Sequence, residues 1–251
     1  GSGMGYGFHL SNRNYIEVKN LFFSSFNQGP SLYGSNNSVD NIGWCNMYGY
    51  NTLGGSNWQK INIIYCYGMY GWSMQINAQR DTINTDSSDF NIHYINSGQV
   101  NNRSIYISSH KRMNWNYINC EGSANDGFFI DSYCEDVIFD TLKCGWSKTG
   151  GYSFRIYDSS NFSKNIRVKN LYMYSGGGMQ VYSNGAGYSI DNIYHTTPTY
   201  TWRFGEYYLE NGSYCVRTFN DASITIKDGS VQNRFYPSNN STIKTIGVEL
   251  D

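Results

Sequence analysis

The chain has 251 residues, a formal net charge of −1 and only 15% charged residues. This balance excludes the basic footprint of proteins that bind nucleic acid or anionic membranes, so neither is expected as a partner. The apolar runs are short, which predicts no membrane-spanning segment, and no signal peptide is expected before the folded domain.

Residues 1–6 are interpreted as an artificial scar or linker, and residues 7–11 already match a short strand. The first full strand follows at 15–23, with the spacing apolar-x-x-apolar-x-apolar. Successive copies of this spacing begin 21–31 residues apart. The copies are Val18/Leu21/Phe23, Val39/Ile42/Trp44, Ile61/Ile64/Cys66, Ile92/Ile95/Ser97, Trp115/Ile118/Cys120, Phe139/Leu142/Cys144, Val168/Leu171/Met173 and Ile190/Ile193/His195.

A second strand pattern, in which apolar residues alternate with others, follows each copy of the first. Leu32 and Leu53 mark two degenerate copies. The clear copies are Ser73–Asn77, Ser104–Ser108, Gly127–Asp131, Ser153–Tyr157, Gly178–Tyr182 and Thr201–Gly205. Two strands per roughly 22 residues, with no helical periodicity between them, are typical of a solenoid.

The predicted fold is all-β, a right-handed parallel β-helix of about eight or nine coils over residues 7–213. Stacked coils place equivalent residues about 4.8 Å apart and bury them in continuous columns. The loops at 78–89 and 158–165 are expected to leave the tube. Residues 214–251 change pattern and are interpreted as a C-terminal β cap or as further coils.

Two inward features follow from the repeat register. Cys66, Cys120 and Cys144 share one repeat position and are predicted to be buried packing residues, because none of the six cysteines lies in a Cys-x-x-Cys pair. Four asparagines also share a position, which predicts an internal ladder of amide hydrogen bonds. They are Asn20, Asn41, Asn170 and Asn192.

The outward positions of the second strand predict a shallow glycan groove. Its residues are Gln75, Tyr106, Phe129, Asp131, Arg155, Tyr157, Gln180 and Arg203. Aromatic rings would stack on sugars, Arg155 and Arg203 would pair with acidic sugars, and Asp131 would accept hydroxyls. A plain surface covered by neighbouring loops is the open alternative. In either case Arg155 is expected to pair with Asp131.

The outward column of the first strand predicts a solubilising face, because its charges alternate in sign. Its residues are Lys19, Asp40, Asn62, His93, Asn116, Asp140, Lys169 and Asp191. The four histidines show no metal-ligand spacing.

Residues 8–23 and 34–42 resemble the β-helix repeats of the pectate-lyase-like superfamily, and the resemblance extends over residues 7–205. That superfamily includes polysaccharide lyases, phage tailspikes and surface adhesins. Proteins with this fold have many different activities, so the resemblance predicts the fold more strongly than the function.

The sharpest local match, residues 119–131, is similar to the calcium-binding run of one group of pectate lyases. The resemblance implies that Asp126, Asp131 and Glu121 would hold calcium, and that Arg155 would be the catalytic base, with Asp131 beside it. Asn125 and Phe129 stand where that family has two of its carboxylates, which would weaken the site.

The sequence therefore favours an extracellular carbohydrate-recognition domain of the tailspike, tail-fibre or adhesin type, at a cell surface or on a virion. Its expected partner is a polysaccharide or a cell-surface glycan, and a homotrimer would be expected for a phage tail protein. The alternative is a lyase that performs cation-assisted β-elimination on a uronic-acid polymer.

Overall fold

The computed structural model describes most of the chain, and its described residues form 23 strands and no helix. The described ranges are 5–26, 28–45, 52–54, 60–69, 74–77, 91–100, 105–108, 114–123, 126–145, 151–158, 163–174, 178–184, 187–196, 200–203, 206–209, 214–232, 234–238 and 240–250. The predicted loop at 78–89 lies outside them.

The strands form two long sheets and one small one. Sheet A contains β1 (Tyr6–Leu10), β3 (Gln28–Tyr33), β5 (Thr52–Gly54), β7 (Met74–Asn77), β9 (Ile105–Ser108), β11 (Phe128–Ile130), β13 (Phe154–Asp158), β15 (Met179–Ser183), β19 (Val216–Phe219) and β21 (Phe235–Pro237). Sheet B contains β2 (Glu17–Ser24), β4 (Ser38–Cys45), β6 (Lys60–Met69), β8 (Asn91–Val100), β10 (Asn114–Ser123), β12 (Glu135–Gly145), β14 (Lys164–Tyr174), β16 (Tyr188–Thr196), β20 (Ser223–Val231) and β22 (Thr242–Thr245), with β23 (Val248–Leu250) beside β20. Sheet C pairs β17 (Tyr200–Arg203) with β18 (Glu206–Leu209).

Pairing in sheets A and B is parallel, and the chain alternates between the two sheets as far as β16. Each strand therefore pairs with the next strand of its own sheet, and one strand of the other sheet lies between the two along the chain. This confirms the predicted all-β class and its parallel sheets.

The alternation is broken once, after β16. Residues 201–203 of the strand predicted at 201–205 lie in β17, which pairs antiparallel with β18. The neighbour of β15 in sheet A is β19, so the prediction that residues 201–205 continue this sheet is wrong. Beyond this point β19 to β22 extend the two parallel sheets.

One hydrophobic cluster receives side chains from both sheets. At its centre Trp115 and Phe139 of sheet B lie 5.5 and 5.2 Å from the ring of Phe128 in sheet A, and Phe154 of sheet A lies 5.9 Å from it. All four side chains are almost fully buried. Each buried aromatic ring contributes roughly 1.5–3 kcal/mol of transfer free energy, so the two sheets are held together by this shared core.

The predicted inward spacing fails at two positions. Ile64 is 44% exposed, and Ile63 is buried in its place. The reason is local, because the ladders from β6 to β4 and β8 both contain register shifts next to Ile63. A shift of one residue turns a side chain to the opposite face of a sheet. Leu21, predicted to point inward, is 39% exposed.

The asparagine ladder exists, but on the surface. Asn41 donates to the side-chain oxygen of Asn20 at 2.7 Å, and Asn192 donates to that of Asn170 at 3.1 Å. Asn20 and Asn41 are exposed and the other two are half-buried, so the predicted interior location is wrong. The φ angles of Asn20 and Asn41 are 54° and 55°. Asparagine tolerates this left-handed conformation, which explains its presence at these two positions.

The cysteine prediction is confirmed where the side chains are described. Cys120 and Cys144 are free, buried and opposite each other on neighbouring strands. Cys66 lies at the corresponding position of β6, opposite Trp44, but its side chain lies outside the described part. Cys134 and Cys215 are also free and buried.

Candidate functional site

The outer face of sheet A carries a continuous row of aromatic, guanidinium and amide side chains. In β13, Phe154 and Ile156 belong to the core cluster, so Arg155 and Tyr157 point to the opposite face. The described side chains of this row, called here the aromatic–arginine ridge, are Tyr106, Phe129, Arg155, Tyr157, Gln180, Tyr182, Arg217 and Phe219.

Three predicted groove residues are not among them, and one of these, Asp131, directly follows β11. Gln75 lies opposite Tyr106 in the ladder between β7 and β9, but its side chain is outside the described part. Arg203 ends β17 in sheet C, so the structure does not place it in the row on sheet A.

The aromatic rings of the ridge stack on one another along the ladder. Tyr106 and Phe129 lie 5.5 Å apart at 9°, and Tyr157 and Tyr182 lie 4.9 Å apart at 16°. Phe129 is also 6.3 Å from Tyr157, and only 3% of it is exposed. Faces covered by neighbouring rings are not available to sugars, so the predicted stacking of a sugar on Phe129 is wrong. Tyr157 and Tyr182 are partly exposed, and their hydroxyls are groups that can donate and accept hydrogen bonds.

Arg155 is fixed by a partner that the sequence did not indicate. Its Nη1 lies 3.5 Å from Oδ2 of Asp126, whose side chain is completely buried. The guanidinium also lies 5.0 Å from the ring centroid of Tyr157 and 5.5 Å from that of Tyr152. The expected pair with Asp131 is not formed. A guanidinium carries hydrogen-bond donors and no acceptor, and this one is engaged in an ion pair, which argues against its use as a base.

Asp131 has a different set of partners. Its Oδ2 accepts a hydrogen bond of 2.5 Å from the hydroxyl of Tyr106, and its Oδ1 accepts bonds of 2.8 and 3.1 Å from the backbone N–H and hydroxyl of Ser132. Asp131 is half-buried, so these donors hold its carboxylate against the ridge.

The structure does not bring the predicted calcium ligands together. Asp126 precedes β11 and Asp131 follows it, so they lie at opposite ends of a three-residue strand that is itself roughly 10 Å long. Carboxylates on one calcium ion must all lie within about 2.6 Å of it. Glu121 lies on β10, but its side chain is outside the described part. Across the described ranges, no group of three or more His, Cys, Asp or Glu side chains could hold a metal ion.

Arg217 is the ridge residue that the sequence analysis missed. It lies opposite Gln180 in the ladder between β15 and β19, where Arg203 was expected. The signal was present, since Cys215–Phe219 repeats the order small, apolar, arginine, variable, aromatic of Ser153–Tyr157. The guanidinium of Arg217 lies 4.3 Å from the ring centroid of Phe219.

Gln180 joins the two arginine positions. It is 7% exposed, and its Nε2 donates to the hydroxyl of Tyr152 at 3.1 Å. Since Tyr152 also contacts Arg155, the middle of the ridge forms one connected polar network.

The outer face of sheet B carries ion pairs. Lys60 pairs with Asp40 at 2.9 Å, and Lys227 pairs with Asp191 at 2.9 Å. Hydrogen bonds from Asn62 and Lys60 lower the pKa of Asp40. These contacts agree with the predicted charged and solubilising character of this face.

No family model, curated protein or solved structure matches the chain. Within the described ranges, no helix has the length and apolar character needed to span a membrane.

Proposed function

We propose that the chain is a single right-handed parallel β-helix that binds a glycan along the aromatic–arginine ridge in an extracellular setting. The alternation between sheets A and B through one shared core supports the coil. Right-handed crossovers are strongly preferred between parallel strands, which supports the hand. Nine consecutive pairs of strands, from β2/β3 to β20/β21, then correspond to nine coils in the described part.

The observation that carries the function is a row of side chains in register. Tyr106, Arg155, Gln180 and Arg217 supply its polar groups on β9, β13, β15 and β19, and Phe129 of β11 lies between the first two. At about 4.8 Å per strand this row extends roughly 19 Å, long enough for several sugar units. It offers phenol, amide and guanidinium groups, which donate and accept the hydrogen bonds that sugar hydroxyls need. A net charge of −1 is too small to favour nucleic acid as the ligand.

The lyase alternative receives less support from the same residues. Asp126 is paired with Arg155, and Asp131 is held by Tyr106 and Ser132 at the other end of β11. A lyase would need a cation site and a free base at one place on the substrate. Glycan binding without catalysis needs no cation site and no base, and the side chains of the ridge can supply its hydrogen bonds.

The sheet B face provides a matched control for the test. Tyr157 and Tyr182 stack at 4.9 Å and 16° on the ridge, whereas Tyr172 and Tyr194 stack at 4.9 Å and 12° on sheet B. Replacing both tyrosines of a pair with phenylalanine removes two hydroxyls and keeps both rings.

The experiment is a titration of the whole chain with neutral, uronate-containing and sulfated oligosaccharides by calorimetry. The double variant Tyr157→Phe/Tyr182→Phe should lose at least tenfold in affinity, since each net hydrogen bond contributes about 1 kcal/mol. Tyr172→Phe/Tyr194→Phe should bind as the unchanged protein does. Failure of all these glycans to bind, or equal losses in both double variants, would refute the proposal. Formation of unsaturated uronate, followed by absorbance, would establish the lyase instead.

A further inference from the structure

The ridge contains two arginines in different charge environments. Arg155 and Arg217 occupy the same position on β13 and β19, with only Gln180 of β15 between them in the ladder. Arg155 has the carboxylate of Asp126 at 3.5 Å. For Arg217, the described residues provide no carboxylate within ion-pairing distance. The Nε of each of the two arginines is buried without a hydrogen-bond partner among the described residues, so the ion pair is what distinguishes them.

Aromatic rings hold the guanidinium of Arg217 in place. It lies 4.3 Å from the ring centroid of Phe219 and 5.4 Å from those of Tyr214 and Tyr236. The rings of Tyr214 and Tyr236 are 4.8 Å apart, and a second guanidinium, that of Arg234, lies 5.1 Å from the Tyr214 ring. Two cationic groups therefore converge on one aromatic cluster.

This arrangement is unfavourable for a protein surface with no ligand. A half-buried cation without a counter-ion loses hydration and gains no ion pair. An oxyanion bound to Arg217 would relieve this cost. A guanidinium fixed by rings offers two parallel N–H donors, which match the geometry of a carboxylate or a sulfate. Tyr236 is 40% exposed, so the cluster lies at the surface of the molecule.

We infer that this cluster, called here the Arg217 subsite and formed by Tyr214, Arg217, Phe219, Arg234 and Tyr236, binds an acidic substituent of the glycan. The inference rests on the proposed function and extends it, because it names the class of ligand. The glycan is an acidic one, and its carboxylate or sulfate lies at the β19 end of the ridge. Arg155 does not serve this purpose, since its charge is already matched by Asp126.

The test compares each acidic oligosaccharide with a neutral form of itself. The probes are a uronate trisaccharide with its carboxyl-reduced form, and a sulfated tetrasaccharide with its desulfated form, measured by calorimetry at two salt concentrations. At least one acidic probe should bind tenfold to hundredfold more tightly than its neutral form, the range expected for a charged hydrogen bond. High salt should reduce that preference. A preference within the uronate pair indicates that the subsite binds a carboxylate, and a preference within the sulfated pair indicates that it binds a sulfate.

Variants assign the preference to one residue. Arg217→Gln should abolish the difference between acidic and neutral forms, and Arg217→Lys should restore part of it, because lysine keeps the charge but lacks the planar fork. Lys244→Gln, an exposed residue of β22 in sheet B, removes the same charge elsewhere and should leave the preference unchanged. Thermal melting of each variant checks that it is folded.

Equal binding of acidic and neutral forms would overturn the inference and leave the glycan-binding proposal standing. The same holds if Arg217→Gln keeps the preference for the acidic form. Binding of no glycan at all would overturn the proposed function, and the subsite with it.

Discussion

His195 makes the stability of this protein depend on pH in a predictable direction. Its imidazole is 1% exposed on β16, opposite Met173 and Val231, and neither ring nitrogen has a hydrogen-bond partner among the described residues. Burial lowers the pKa of His195 from 6.5 to about 4. The unfolded chain therefore binds a proton between pH 6.5 and 4 that the folded chain does not bind.

The sign and size of the effect follow from this difference in pKa. Stability is present in full above pH 6.5 and is lost as the pH falls toward 4, because protons favour the state that binds them. A difference of this size corresponds to about 2.5 kcal/mol lost between pH 7.5 and 4.5. His195→Met replaces the ring with the residue type of its neighbour Met173 and should remove this loss. It should also raise stability by about 1 kcal/mol at pH 7.5, where it eliminates unpaired polar atoms.

The assay is urea unfolding followed by tryptophan fluorescence at pH 7.5 and 4.5. The quantity compared is the free energy of unfolding that each protein loses between pH 7.5 and 4.5, for the unchanged protein and for His195→Met. Carboxylates contribute equally to both losses, so the difference between them reports on His195. His9→Gln, at an exposed position, is the control and should keep the pH dependence of the unchanged protein. If His195→Met and the unchanged protein lose the same free energy on acidification, the argument from burial fails.

Two further predictions test the ridge and the core. Arg155→Gln should lower the free energy of unfolding by about 3 kcal/mol, because it leaves the buried carboxylate of Asp126 without its ion pair. Arg217→Gln breaks no ion pair in the described part and should cost less than about 1 kcal/mol by the same urea assay; equal costs would contradict the assignment of partners. Cys120 and Cys144 should resist a bulky maleimide until the protein is unfolded, as judged by mass spectrometry. Their rapid labelling in native buffer would show that they do not face the core.

The strands and their inward residues could be predicted because apolar residues alternate with others in the sequence at the two-residue period of a strand. Phe154 and Ile156 were expected inside and Arg155 outside, as the structure has them. The same rule fails at Ile64, where the ladder shifts register. A shift of this kind depends on both neighbouring strands, so a pattern within one strand cannot reveal it.

The order of strands in a sheet was harder to predict than the strands themselves. The repeat pattern predicts that the next matching segment along the chain is also the next strand in sheet A, which would place Arg203 beside Gln180. An antiparallel pair, β17 and β18, comes between, and β19 brings Arg217 to that position. Both segments alternate as a strand does. Only Cys215–Phe219 ends on an aromatic residue as Ser153–Tyr157 does, and this is the one signal in the sequence that favours it. Which segment follows β15 is decided by pairing across the sheet, which the alternation within a single strand does not show.

Burial determines which of two carboxylates pairs with Arg155, and a local sequence pattern does not show how deeply a carboxylate is buried. Asp126 and Asp131 flank the same strand, and the sequence favoured Asp131 because it lies in the adjacent outward column. In the structure Asp131 is half-buried and receives hydrogen bonds from Tyr106 and Ser132, whereas Asp126 is fully buried. A buried carboxylate needs a cation far more than a half-buried one does. Arg155 is therefore held by a buried ion pair, and this is why the proposed acidic ligand is assigned to Arg217, two strands away.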